Sequence, residues 1–170
     1  MGTVPLYLGV DGGGTKTALV LLDPEGTIRA THVAPGSYYL TIGVEGLGTL
    51  LVEAVNAVLA KAGIGSDEVN FAFFGLPAYG EDTVLTGPLS RLPQRCLPAG
   101  RFVCGNDMIC GWAGSLLCRD GISIVAGTGS ICYGERNGRS ARCGGPTARA
   151  SAWIRRRSLP VHRNPTPRRC

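Results

Sequence analysis

The sequence has little of what metal centres and disulfide frameworks need. It contains only two histidines, His32 and His162, and its seven cysteines form no C-x-x-C pair. Neither histidine lies at a ligand-like spacing from a cysteine, so we expect no zinc site. An odd number of cysteines without a paired pattern predicts reduced thiols that act as small apolar residues in a cytoplasmic protein.

Long apolar runs are also absent. No uninterrupted run approaches the roughly 18 apolar residues that a membrane-spanning helix needs. The start of the chain, Met-Gly-Thr-Val-Pro, lacks the basic residues and apolar stretch of a secretory signal. We therefore expect a cytoplasmic protein with no membrane partner.

Acidic residues are missing from the last fifth of the chain. Residues 1–135 hold seven Lys and Arg and all twelve Asp and Glu, whereas residues 136–170 hold ten Arg and no acid. Residues 146–170 contain four Pro and seven Arg without helical or strand periodicity, which predicts a disordered tail. The tail has no recognised RNA motif, so we expect at most salt-dependent, non-specific contact with nucleic acid.

The apolar residues, 44% of the chain, follow the periods of an α/β protein. Three apolar runs separated by turns predict an antiparallel meander at residues 6–10, 15–23 and 27–34. Apolar residues at three- and four-residue steps predict a helix over 46–62, which ends near Lys61 and Gly63. Further strands are expected at residues 70–76, 101–104, 122–126 and 131–135. Further helices are expected at residues 82–92 and 108–117.

The first predicted turn carries three consecutive glycines, in Gly9-Val-Asp-Gly-Gly-Gly-Thr-Lys-Thr17. Glycines let the backbone approach a ligand closely, and successive N–H groups in such a turn form a concave anion site. Asp11 ends a strand beside this turn, where a carboxylate can hold Mg²⁺ through water. The order Thr15-Lys16 does not fit the G-x-x-x-x-G-K-[ST] phosphate loop. An ordinary glycine-rich hairpin is the structural alternative.

Two later segments carry related chemistry. Ala126-Gly-Thr-Gly-Ser130 places small residues and two hydroxyls at a strand turn, so the two turns together would grip a triphosphate from two sides. Asn106-Asp107 follows an apolar strand and precedes a predicted helix. Asp107 would therefore act either as the base that takes a proton from an acceptor hydroxyl or as a helix cap.

These three segments, in this order, resemble the two phosphate motifs and the first connecting motif of the actin/hexokinase/Hsp70 superfamily. Within it the chain is similar, over residues 6–145, to the BadF/BadG/BcrA/BcrD-type ATPases, a group that includes N-acetylglucosamine kinases. The resemblance implies ribonuclease H-like lobes and an ATP-dependent sugar kinase that uses Mg²⁺. It also implies a small-molecule sugar as substrate, and a homodimer is compatible with the full-length family form.

The resemblance also assigns site residues. Asp107 would be the general base, and Asp11 would help to hold Mg²⁺. The ATP phosphates would contact Gly12, Gly13, Gly14, Thr15, Lys16, Gly127, Thr128, Gly129 and Ser130. The sugar would contact Asp107, Asn106 and Ser37. Ser37 lies at a position where these kinases often have an asparagine.

After the second phosphate motif the sequence departs from the family pattern. The kinases usually read G-G-W-G and then G-D-E-G, whereas here Gly144-Gly145 is followed by Pro146 and an Arg/Pro-rich stretch. We therefore expect a first lobe at 1–118, an incomplete second lobe at 119–145 and a tail at 146–170. The abrupt change suggests a reading-frame shift and a kinase that is inactive as this truncated chain.

Two other functions are open at this stage. One is an ATPase that activates a radical dehydratase or benzoyl-CoA-type reductase through an iron–sulfur cluster. Those activators tend to read G-S-T-T at the first turn, and no cysteine of this chain lies in a cluster motif. The other is a non-catalytic nucleotide-binding fragment.

Overall fold

The computed structural model describes residues 4–126, 130–145 and 162–164 and confirms an α/β fold. Its first sheet has five strands in the order β3-β2-β1-β4-β5. These strands are β1 (Leu6–Gly12), β2 (Lys16–Leu22), β3 (Ile28–Pro35), β4 (Val69–Leu76) and β5 (Phe102–Asn106). β1, β2 and β3 pair antiparallel, as the glycine-containing turns predict, and β4 and β5 continue the sheet parallel to β1.

The main helix, α1 (Tyr39–Ala62), begins seven residues before the predicted start. Its first turn is separated from the rest by Gly43, which has a non-helical conformation with φ 75°. Leu40 and Ile42 in that turn face solvent, so the turn lacks the apolar periodicity that marks the rest of the helix. The predicted end is confirmed, because Gly63 is left-handed (φ 69°) and its N–H donates to the carbonyl of Ala60.

The core of the first sheet lies against the apolar face of α1. That face buries Leu47, Leu51, Ala54, Val55, Val58 and Leu59. By length and mean hydropathy (1.5) α1 could cross a membrane, although no uninterrupted apolar run of that length exists. Its buried face belongs to the same apolar cluster as Val10 and Phe74 of the sheet, which is the arrangement of a core helix.

Two shorter helices connect the later strands. α2 (Thr83–Arg91) is capped by Asp82, whose carboxylate accepts hydrogen bonds from the N–H groups of Val84 (2.8 Å) and Leu85 (3.2 Å). α3 (Asp107–Leu116) begins directly after β5. Because no loop separates β5 from α3, Asp107 lies at the junction between strand and helix.

The contacts within the chain define two compact units, Met1–Asp107 and Met108–Cys170. The second unit holds an antiparallel sheet in the order β6-β7-β8-β9. Its strands are β6 (Gly121–Ala126), β7 (Ser130–Arg136), β8 (Arg139–Gly145) and β9 (His162–Asn164). The predicted lobe boundaries at 118 and 145 stay predictions.

The last two strands were not predicted from the sequence. β9 lies inside the segment predicted to be disordered, and it pairs antiparallel with β8. The remainder of 146–170 lies outside the described residues. The prediction of a disordered tail stays a prediction.

Candidate active site at the carboxyl edge of the first sheet

Three parallel strands, β1, β4 and β5, end side by side. In the strand register Asp11 of β1 lies opposite Gly75 of β4, and Gly75 lies opposite Gly105 of β5. With neighbouring strands about 4.8 Å apart, the Cα atoms of Asp11 and Gly105 are separated by roughly 10 Å. Asn106 and Asp107 follow Gly105 directly. The fold therefore brings the predicted metal ligand and the predicted base to one edge of one sheet.

The turn between β1 and β2 packs tightly at Gly12 and is open at Gly14. A Cβ at Gly12 would lie 2.7 Å from the carbonyl oxygen of Gly75 and would collide with the hydroxyl of Ser37. A Cβ at Gly14 would meet no atom within 4 Å. Thr15 and Lys16 are exposed. The turn thus presents bare backbone and a cationic side chain to a ligand beside Asp11, as a phosphate site requires.

The segment from Pro35 to Ser37, at the end of β3, packs against this turn. The N–H of Ser37 donates to the carbonyl of Gly13 (2.9 Å), and the Thr17 hydroxyl donates to the carbonyl of Pro35 (2.9 Å). Gly36 lies so close to Gly14 that any side chain would overlap the Gly14 carbonyl. Sequence reasoning missed this role of Gly36, for which Pro35-Gly36 between two apolar segments was the available signal.

Ser37 is fully buried under the glycine turn. Its hydroxyl has no hydrogen-bond partner within the part of the chain that the structure describes, and it faces the Cα of Gly12. In this position the hydroxyl is suited to support the turn. The predicted contact of Ser37 with the sugar stays a prediction.

Asp11 is an exposed residue, yet its surroundings change the pKa of its carboxyl group. Desolvation by partial burial raises the pKa of Asp11, and the positive charge of Lys16 opposes that shift. A raised pKa means that the ionised form is less stable here than in water. A cation bound at this point would relieve that cost, which fits a metal ligand.

Asn106 and Asp107 are both half-buried at the end of β5. The side-chain amide of Asn106 donates to the carbonyl of Tyr79 (3.3 Å), which ties β5 to the segment after β4. Asp107 supplies the acidic residue in the first turn of α3, where a negative charge is stabilised by the helix dipole. The geometry is compatible with both the general-base role and the helix-capping role of Asp107.

The second predicted phosphate turn lies in the second unit. Gly127, Thr128 and Gly129 are outside the described residues, so their predicted role is untested. Ser130 begins β7 and is 2% exposed, and its hydroxyl has no hydrogen-bond partner among the described residues. A buried, unpaired hydroxyl at the end of this turn is a group that a phosphate oxygen would satisfy.

Replacing Gly12 by Ala is expected to lower the free energy of unfolding by about 1–3 kcal/mol, because the new methyl group collides with Ser37 and Gly75. Gly14→Ala is the matched control, since its methyl group enters open space. Both substitutions restrict the unfolded chain equally, so their difference isolates the collision. Urea denaturation followed by circular dichroism measures both. Equal stability of the two variants would contradict the packing of the turn.

Comparison with known proteins finds relatives of this chain. The sequence profile of the BadF/BadG/BcrA/BcrD ATPase family matches residues 8–156. The N-acetylmuramic acid/N-acetylglucosamine kinase of Clostridium acetobutylicum is 30% identical over 139 residues, which are 81% of this chain and 45% of that protein. The N-acetyl-D-glucosamine kinase of Dictyostelium discoideum is 32% identical over 152 residues, which are 82% of this chain and 47% of that protein.

A solved structure gives the same fold. A candidate N-acetylglucosamine kinase from Chromobacterium violaceum superposes with a TM-score of 0.67 at 22% identity. The match covers 85% of this chain and 50% of that one. The chain therefore spans about half the length of the relatives that it matches.

Proposed function

Since this chain belongs to the BadF/BadG/BcrA/BcrD ATPase family, we propose that it is the nucleotide-binding half of an ATP-dependent kinase for N-acetylglucosamine or a related amino sugar. The observation that carries the proposal is the carboxyl edge of the first sheet. There the carboxylate of Asp11 and the open glycine turn lie at the end of β1, and the half-buried Asp107 follows β5, two strands away in the same sheet. The kinase names of both curated relatives support the choice of substrate class.

The residues present fit Mg²⁺ and ATP phosphates. The space at Gly14 and the tight backbone at Gly12 leave a cradle that side chains would fill. Asp11 would hold Mg²⁺ through water, and the backbone from Gly12 to Thr15, with Lys16, would contact phosphate oxygens. When bound, the metal ion spreads the negative charge of the phosphoryl group in transfer.

The protein's own groups divide the remaining work. The carboxylate of Asp107 accepts the proton of the acceptor hydroxyl, so that the hydroxyl oxygen can bond to phosphorus. Asn106, fixed by its hydrogen bond to Tyr79, orients the sugar beside that carboxylate. Ser37 holds the glycine turn in place through the hydrogen bond from its N–H to the carbonyl of Gly13. We propose a cytoplasmic location for this activity, where ATP is supplied.

The cysteines of the first unit favour a kinase over an iron–sulfur activator. Cluster ligands are thiolates, and burial raises the pKa of Cys96 to about 11 and that of Cys104 to about 12. Both thiols are therefore harder to ionise than a free cysteine. Within residues 4–126, 130–145 and 162–164, no three His, Cys, Asp or Glu side chains are grouped to hold a metal ion.

A chimera tests the proposal. Residues 1–145 of this chain are joined to the carboxyl-terminal half of the Clostridium acetobutylicum kinase, and ADP release is measured with N-acetylglucosamine, N-acetylmuramic acid, glucose and no sugar. We expect ADP release that depends on an amino sugar, because the chimera encloses the carboxyl edge with a second lobe. The Clostridium half alone is the control.

Two results would contradict the proposal. ADP release that is the same with and without sugar would indicate an ATPase. A folded chimera that binds ATP and releases no ADP would indicate a non-catalytic nucleotide-binding fragment. Circular dichroism checks that the chimera and the control are folded.

A further inference from the structure

Strands β7 and β8 place two cysteines directly opposite each other. Cys132 of β7 and Cys143 of β8 are register partners, and their thiols are close enough to interact electrostatically. Directly opposed residues in antiparallel strands have Cα atoms about 4.5 or 5.5 Å apart. Both distances lie within the roughly 4.4–6.8 Å that a disulfide spans. The Cα spacing of this register pair is therefore compatible with a bond between the two sulfur atoms.

The two thiols are also reachable from solvent. Both side chains are half-buried, and both line an open groove of about 560 Å³ in the second unit. The charged residues lining this groove are Asp120, Glu135, Arg136, Arg139 and Arg142. Three guanidinium groups against two carboxylates make the groove net positive, which attracts an anionic disulfide reagent.

Cys96 and Cys104 form an instructive contrast. Their thiols also lie close enough to interact electrostatically. Burial, however, raises their pKa values to about 11 and 12, and Cys104 is 5% exposed. Because the thiolate is the attacking species, this pair reacts slowly at neutral pH. Both pairs have their thiols close together, so proximity does not predict which pair reacts. Only Cys132 and Cys143 line the charged groove, and we therefore expect this pair to react faster.

We propose that Cys132 and Cys143 are a redox modification site that forms a reversible cross-strand disulfide with glutathione disulfide as the oxidant. The thiolate of Cys143 attacks one sulfur of glutathione disulfide and releases one glutathione thiolate. Cys132 then loses its proton to water and attacks the Cys143 sulfur, which releases the second glutathione. Two protein thiols are oxidised, and one glutathione disulfide is reduced to two glutathiones.

The order of attack follows from the surroundings of Cys132. Burial, with the neighbouring Cys143, raises the pKa of the Cys132 thiol and makes it the poorer first nucleophile. The new bond would join β7 to β8 two register pairs from the Ser130–Gly145 pair. It would therefore fix the ladder next to the end of the second glycine turn.

Peptide mapping tests the site on the full chain. Trypsin cleaves after Arg119, Arg136, Arg142 and Arg149, so Cys132 falls in peptide 120–136 and Cys143 in peptide 143–149. After the native chain is treated with glutathione disulfide and free thiols are blocked, mass spectrometry should find these two peptides linked. We expect about tenfold more of this pair than of any other, and its loss on treatment with dithiothreitol.

Variants and a denatured control make the result specific. Cys118→Ser, which removes an exposed thiol outside the pair, should leave the linked peptides unchanged. Cys132→Ser should stop the reaction at a glutathione adduct on peptide 143–149. The same pairing pattern in native and urea-denatured chains, or a dominant link from peptide 96–101 or 102–119, would overturn the proposal. Equal glutathione trapping in Cys132→Ser and Cys143→Ser would overturn the order of attack.

Discussion

Asp107→Asn is expected to lower kcat of the chimeric kinase about 10²–10⁴-fold, the contribution usual for a general base. The amide has nearly the same shape as the carboxylate but cannot accept the proton of the sugar hydroxyl. Asp107 lies half-buried at the strand–helix junction, close to the glycine turn along the same sheet edge. The measurement is the rate of ADP release at saturating N-acetylglucosamine.

Asp67→Asn is the matched control for Asp107→Asn. Asp67 is exposed and precedes β4, at the opposite edge of the sheet from the proposed site, so its loss should leave kcat unchanged. The pair of variants also separates the two roles that Asp107 could have. If Asp107 only stabilises the start of α3, Asn should replace it with little effect, because Asn caps helices about as well as Asp. A kcat equal to that of the Asp67→Asn chimera would contradict the catalytic role.

Local sequence signals were sufficient for the first three strands and for the end of α1. Glycine and proline turns bound the strands, and Gly63 takes the left-handed conformation that ends a helix. These features depend on neighbours in the chain, so composition and spacing predict them. The family motifs then identified the first turn and Asp107 as candidate site residues.

Other features depend on contacts that no local pattern encodes. β8 reads Arg-Ser-Ala-Arg-Cys-Gly-Gly, which has no apolar alternation, and it is a strand because β7 pairs with it. The burial of Ser37 under Gly12 requires β3 to return to the turn between β1 and β2. The closeness of Asp11 to Asn106 requires β4 to lie between β1 and β5. These are pairings between distant segments, which the sequence pattern alone leaves undetermined.

The 170-residue chain by itself is expected to show no measurable kinase turnover. A kinase must exclude water and align the acceptor hydroxyl with the phosphoryl group, and closure between lobes does both. Alignment of two reactants contributes up to roughly 7–11 kcal/mol to lowering the barrier. The chain spans about half the length of the kinase relatives that it matches, and the prediction concerns these 170 residues without a second half.

The packing of the second unit also favours the absence of kinase turnover in the 170-residue chain. Among its described residues the buried cluster consists of Met108, Trp112 and Tyr133, whereas the first unit buries an extensive core between sheet and helix. Ile122 and Ile124 on β6 are each 67% exposed. If the described residues of this sheet were all that packed against it, it would be marginally stable in water. We therefore expect it to hold nucleotide weakly, through phosphate contacts alone.

The measurement is ADP release with N-acetylglucosamine by the chain and by the chimera at equal concentration. The chimera should turn over at an ordinary enzymatic rate, about 1 per second or faster, and the chain should not exceed the no-enzyme blank. A thermal-shift titration with Mg·ATP distinguishes loss of binding from loss of alignment. A small shift at millimolar ATP with no turnover is the expected result, because the glycine turn and Asp11 are intact in the first unit. Turnover of about 1 per second by the 170-residue chain would show that the first unit and this small sheet suffice for catalysis, and the prediction would be wrong.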